Sequence, residues 1–124
     1  MLHWSELEVF EKAHKLTLEI YEVTESYPKN ELFGIVSQLR RAAYSVPVNI
    51  VEGKSRKNTK ELIQFLNIAN ASLEEVRYLL LLSKDLGYID DTKYSKLESD
   101  CEIISRMLNS FINTLRRKVK DEQK

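Results

Sequence analysis

A chain of 124 residues is the size of one domain, long enough to bury a core without disulfide or metal staples. Its 19 basic and 19 acidic side chains cancel, so no global field draws it to nucleic acid or to a membrane surface. The single cysteine, Cys101, excludes an internal disulfide framework, the opening MLHWSELEVFEK lacks the order of a signal peptide, and the longest apolar run, Tyr78 to Leu82, is too short to span a bilayer; a soluble cytoplasmic protein is expected.

Glycine and proline act as punctuation. The three glycines, Gly34, Gly53 and Gly87, each fall near an expected helix boundary, and only Pro47 interrupts a helical pattern. Four segments result, read as helices over residues 5–27, 34–53, 59–86 and 91–119 of a single domain, 1–124. The first opens on Trp4-Ser5-Glu6-Leu7-Glu8-Val9. Ser5 and Glu8 have the spacing of a capping box, and Trp4 with Val9 that of a hydrophobic staple. Phe10, Ala13, Thr17, Ile20 and Thr24 make the inward stripe, with Leu16, Val23 and Tyr27 beside it. Pro28 pushes Tyr27 out of the helical region and ends the segment. Leu32 and Phe33, in the following turn, are expected to close over the bundle end.

At about 3.6 residues per turn, Gly34 to Arg56 splits into three faces. Ile35, Leu39, Ala42, Val46 and Ile50 are a core stripe. Gln38, Arg41, Ser45, Asn49, Glu52 and Arg56 keep the same spacing one stripe over and form a polar seam. Tyr44, Val48 and Val51 are a second apolar strip. A surface helix needs one apolar face, so the second predicts contact beyond the helix's own bundle. Pro47 removes a backbone donor and crowds the carbonyl of Ala43, so a kink is expected. Gly53 reads as a C-terminal cap.

The third segment has Asn58 as N-cap and Glu61 three residues on. Leu62, Leu66, Ala69, Leu73, Val76 and Leu80 form its stripe, widened by Phe65, Ile68, Leu79, Leu82 and Leu86. Around Tyr78 to Leu82 it is apolar nearly all round, again predicting an outside contact. After Gly87 the fourth segment starts at Asp90 or Asp91. Tyr94, Leu97, Cys101, Ile104, Leu108, Phe111 and Leu115 then alternate steps of three and four, and Val119 extends the pattern. No stretch has the period of a strand. The expected fold is all-α: an antiparallel up-down-up-down four-helix bundle, its second helix kinked at Pro47.

The stretch QLRRAAYSVPVNIVEGKSRK, a polar seam with a mid-helix proline, resembles the signature of the 23S rRNA-intervening-sequence proteins, small bacterial four-helix-bundle proteins. The resemblance runs from Trp4 and the first helix to ELIQFLNIANASLEEVRYLL and KDLGYID. It implies a ring-shaped homopentamer and no established reaction. The chain is also similar to the accessory variability determinant proteins of diversity-generating retroelements, pentameric bundles that bind nucleic acid and work with a reverse transcriptase. Those are strongly basic, and this chain, with no net charge, departs from them.

Few residues offer catalytic chemistry. Glu11-x-x-His14 is half of a ferritin-type di-iron pattern, but the second half is missing and the only other histidine is His3, so both read as solvent-facing. Cys101 lies on the core stripe and reads as a buried thiol. There is no glycine-rich phosphate loop. Within the seam, Gln38, Arg41, Ser45, Asn49 and Glu52 read as a structural network, bonding to one another and to the carbonyl freed by Pro47. Tyr44, Val48, Val51 and Tyr78 are the candidate oligomer interface. Two basic clusters stand out: Lys54, Arg56, Lys57 and Lys60, and Arg116, Arg117, Lys118 and Lys120. An antiparallel bundle puts both at one end, a candidate phosphate-binding surface. The first helix is acidic. The function expected is a non-enzymatic homo-oligomeric scaffold, pentameric on the resemblance, with RNA or other single-stranded nucleic acid as the ligand of its basic ends. The alternative is a protein–protein interaction module with no nucleic-acid role. No cofactor, metal, membrane or small-molecule substrate is expected.

Overall fold

Four helices carry the chain: α1 (Glu8–Thr24), α2 (Ser37–Lys54), α3 (Thr59–Asp85) and α4 (Asp91–Glu122). The structure, a computed structural model, describes residues 2–123, and among them there is no strand. Each helix packs on its neighbour in sequence, and α4 returns against α1. Pairs across the interfaces give the sense of packing. Thr17 meets Ala43 while Thr24 meets Arg40; Ser45 meets Ser72 while Gly53 faces Leu62; Asn70 meets Asn109 while Arg77 meets Glu98. Rising numbers on one helix meet falling numbers on the next, so neighbours run antiparallel.

The core follows the periodicity. Ala13, Leu16 and Ile20 of α1, Leu39, Val46 and Ile50 of α2, Leu66, Leu73 and Leu80 of α3, and Leu97, Cys101, Ile104 and Leu108 of α4 are all buried. Burying each large aliphatic side chain contributes about 1.5–3 kcal/mol, the main force holding the bundle. Two threonines share the α1 stripe because their hydroxyls bond to carbonyls. Thr24 donates to Ile20 O at 2.7 Å, and Thr17 donates to Ala13 O at 2.9 Å. The Tyr27 hydroxyl is buried with no hydrogen bond in good geometry, and burial raises its pKa, partly offset by the nearby Ser83 hydroxyl.

The helix ends depart from the sequence reading in several places. α1 starts at Glu8, not Ser5, because Trp4–Glu6 forms a separate 3-10 turn and Leu7 is extended. The Ser5 amide goes to the His3 ring, so the capping box does not form, and Trp4 packs edge-on to Phe10. At its other end α1 stops at Thr24, and the amides of Glu25, Ser26 and Tyr27 bond three residues back in a tighter turn before Pro28. α2 starts at Ser37, after a π-turn over Leu32–Val36 in which Gly34 is non-helical. That turn holds Leu32 and Phe33 outward, Phe33 being 94% exposed, so they do not close the bundle end.

Gly53 is not a cap either. It lies inside α2, buried, where a Cβ would come within 2.9 Å of Leu62 Cδ1 and 3.0 Å of Phe65 Cβ. Its role is to let α2 and α3 approach. Among the described residues the one with a left-handed backbone is Gly87, with φ of 79°. There the Gly87 amide bonds to Lys84 O and the Tyr88 amide to Ser83 O, each at 2.9 Å, the Schellman arrangement that closes α3. Asn58 and Asp90 cap α3 and α4 through their side-chain oxygens. α4 runs to Glu122, three residues past the 119 read from the sequence.

Candidate functional site: a basic end and an apolar outer face

Pro47 sits inside α2 and is buried, its ring part of the packing. It has no N–H for the carbonyl of Ala43, four residues earlier. The Thr17 hydroxyl of α1 lies 3.2 Å from that oxygen and shares its single proton between it and Ala13 O, 2.9 Å away. The polar seam was expected to serve that carbonyl and does not.

The seam divides along its length. Its middle ties α2 to α3: Ser45 Oγ lies 2.8 Å from Ser72 Oγ, and Asn49 Nδ2 donates to Ser45 O at 2.7 Å and Ser45 Oγ at 3.0 Å. Its ends face solvent. Gln38 and Arg41 are exposed, and Glu52 pairs with Arg56 at 3.4 Å.

One residue of each basic cluster, Lys54 and Lys118, comes within the other's field. Lys54 closes α2 half-buried, and its pKa is lowered, first by burial and then by the charge of Lys118 near the end of α4. Arg56 lies over the Phe65 ring, 4.8 Å from its centroid. Lys57, Lys60, Arg116, Arg117 and Lys120 are exposed. Acids share this end, since α1 begins there and the Trp4–Glu6 turn lies against α2. The surface is therefore a basic cluster rimmed by carboxylates.

The outer face of α2 is apolar and open. Tyr44 and Val48 are 44% and 46% exposed, and Val51 is half-buried. Tyr44 lines a shallow depression with Tyr21, Leu32, Phe33, Arg40 and Arg41. Arg40 is held there, its Nε bonded to Thr24 Oγ1 at 2.9 Å and its guanidinium over the Tyr21 ring. On α3, Tyr78 is 60% exposed and Ile68 is also open.

Two ionic clusters escaped the sequence reading. Arg77 of α3 donates to Glu98 Oε1 at 3.0 Å, to Glu102 Oε2 at 3.2 Å and to Glu74 Oε1 at 3.1 Å. Lys96 of α4 joins Glu19 of α1 and its own Asp100. The signal for the first lay in a lone Arg77 facing acids at i, i+4 spacing, Glu98 and Glu102. These clusters stitch α4 to its neighbours.

The residues with catalytic potential are placed otherwise. Cys101 is fully buried, and burial, helped by Glu98, pushes its thiol up to about 12, far from a thiolate nucleophile. Glu11 and His14 are exposed, His14 stacked on Phe10. Among the described residues no cluster of three His, Cys, Asp or Glu side chains is arranged to hold a metal, and no helix is long and apolar enough to cross a membrane.

Comparison with curated proteins gives no match. Among solved structures, the chain is similar to a protein of unknown function from the S23 ribosomal protein family of Bacteroides thetaiotaomicron VPI-5482. The two are 26% identical with a TM-score of 0.76, over 84% of this chain and 97% of that one. The model of the 23S rRNA-intervening sequence proteins matches residues 5–110, most of the length, and the chain belongs to that family.

Proposed function

We propose that the protein is a non-enzymatic helical scaffold that assembles from identical copies and binds RNA or other single-stranded nucleic acid through its basic end. The observation that carries the assembly is the open apolar strip of Tyr44 and Val48 on α2, matched by Tyr78 on α3. Exposed apolar surface of this kind marks interfaces, and cyclic closure is the common way to hide a repeated contact. The count of five comes from the family resemblance. Support for the basic end as the nucleic-acid surface is the convergence of Lys54 and Lys118. One copy binds weakly, since carboxylates rim the cluster. A ring repeats the cluster on one rim, where avidity can exceed single-site affinity by about 100-fold or more.

Sedimentation at micromolar concentration tests the assembly: a monomer refutes it. Titration with a single-stranded RNA oligonucleotide at about 50 mM salt, where phosphate contacts are strong, tests the ligand. Binding should fall steeply with salt, show little sequence preference and vanish in the Lys54→Glu, Arg56→Glu, Lys57→Glu triple variant. A second reading, a protein-interaction module without nucleic acid, draws on the acidic Trp4–Glu6 turn against α2. Absent binding at low salt decides for it.

A further inference from the structure

Two outward faces of the bundle are apolar at their centres and opposite in charge. The α2 face holds Phe33, Tyr44 and Val48 with Arg40 and Arg41, and no acid occurs between Phe33 and Val51. The α3 face holds Ile68 and Tyr78 with Glu74 and Glu75; the one base between them, Arg77, is turned to the carboxylates of α4. The Ser45–Ser72 bond, 2.8 Å long, fixes the relative heights of the two helices. One turn before Ser45 stands Arg41, and one turn after Ser72 stand Glu75 and Val76. One turn after Ser45 stands Val48, and one turn before Ser72 stands Ile68. Arg41 is thus level with Glu75 along the bundle axis, and Val48 with Ile68. Within one chain the side chains of Arg41 and Glu75 have no hydrogen bond or ion pair among the described residues.

We infer that these faces are the two halves of one head-to-tail contact: the α2 face of one copy docks on the α3 face of a second copy, Arg41 against Glu75 and Val48 against Ile68. In a ring whose bundle axes stand side by side, residues at equal height meet across each contact, so the level pairs become the contacting pairs. A two-fold contact of the α2 face with itself would set Arg40 and Arg41 against their own copies. The α3 face on itself would oppose Glu74 and Glu75. Both are like-charge approaches, which interfaces avoid. This rests on the oligomer reading above and adds which surface meets which.

The experiment is sedimentation velocity at micromolar concentration on the full chain, the Arg41→Glu and Glu75→Arg variants and the double reversal, with circular dichroism to follow folding. Both positions are exposed in the monomer, so helix content should not change. Each single reversal should weaken association by about tenfold or more, and the double reversal should recover it. A monomeric wild type removes the oligomer reading and the inference together. An assembled wild type whose single variants assemble equally well, or whose double reversal is no better than the singles, overturns the face pairing alone. Arg41→Glu that loses oligonucleotide binding while staying assembled also overturns it, assigning the α2 face to nucleic acid.

Discussion

The exchange between Pro47 and Thr17 yields a prediction that a double-mutant cycle can decide. Pro47 leaves the carbonyl of Ala43 without its helical donor, and the Thr17 hydroxyl stands 3.2 Å away. Ala43 is fully buried, so water does not replace that donor. Thr17→Val keeps the shape and removes the hydroxyl. Leaving a buried acceptor unpaired costs about 1–3 kcal/mol. The added methyl returns less than about 1 kcal/mol, because Thr17 is almost wholly buried already and the gain is one carbon. The net loss should be about 1–2 kcal/mol. In Pro47→Ala, the amide at position 47 bonds the same carbonyl along the helix. Thr17→Val should then cost about 1 kcal/mol less, a coupling larger than the roughly 0.3–0.5 kcal/mol scatter of independent sites. Urea unfolding of the four proteins by far-ultraviolet circular dichroism measures this. Protein concentration must be fixed, since an assembly's apparent stability depends on it. An equal cost in both backgrounds refutes the reasoning, leaving the 2.9 Å bond to Ala13 as the hydroxyl's only work.

Three further outcomes are expected. Gly53→Ala gains about 1 kcal/mol of helix propensity but forces a Cβ against Phe65 Cβ, which is too near the backbone to swing away. The overpacking, about 1–3 kcal/mol, should win, and a Gly53→Ala protein that melts higher than wild type would contradict this. The Cys101 thiol, held near 12 when folded against 9.0 when not, keeps a proton that the unfolded chain releases, so stability should fall as pH rises from about 9. Tyr27 and Tyr88 act in the same direction, so the readout is a shallower decline in Cys101→Ala than in wild type. Val48→Asp should lower the sedimentation coefficient while preserving helix content, because Val48 is 46% exposed and its loss leaves no cavity; unfolding instead would place it in the core.

Most of the fold was legible because helical periodicity is a local signal. The steps of three and four through Leu97, Cys101, Ile104 and Leu108 and through Leu66, Ala69, Leu73, Val76 and Leu80 correspond to buried side chains. What periodicity does not encode is where a helix yields to competing bonds. Ser5 had the right neighbours for a cap, yet its amide goes to His3. Leu32 and Phe33 look like bundle-end cover, but the π-turn at Gly34 rotates them outward. Gly53 shows the same limit. From sequence a glycine near a helix end reads as a left-handed cap, and only the approach of Leu62 and Phe65 reveals that its lack of a Cβ is what matters. At the candidate site, the approach of Lys54 to Lys118 followed from antiparallel order alone. The pairing of Thr17 with the proline-freed carbonyl did not, because it joins residues 26 apart in sequence.

Two features of the isolated chain would be relieved by contact with a partner. Phe33, Tyr44, Val48 and Tyr78 keep apolar surface in water, and Lys54 sits half-buried within the field of another lysine. Neither is needed to build the core, since the inward stripes already fill it. The two lie apart: the lysines close one end, while Phe33 and Tyr44 flank the first half of α2. A protein face covering the apolar strip need not cover the lysines, and an anion at the lysines need not touch the strip. Under the proposed function each would be covered by a partner of different chemistry, apolar with carboxylates for the first and polyanionic for the second. The proposed ring of copies would supply the first partner from the chain itself, and by repeating the lysines around one rim it would strengthen attraction for the second.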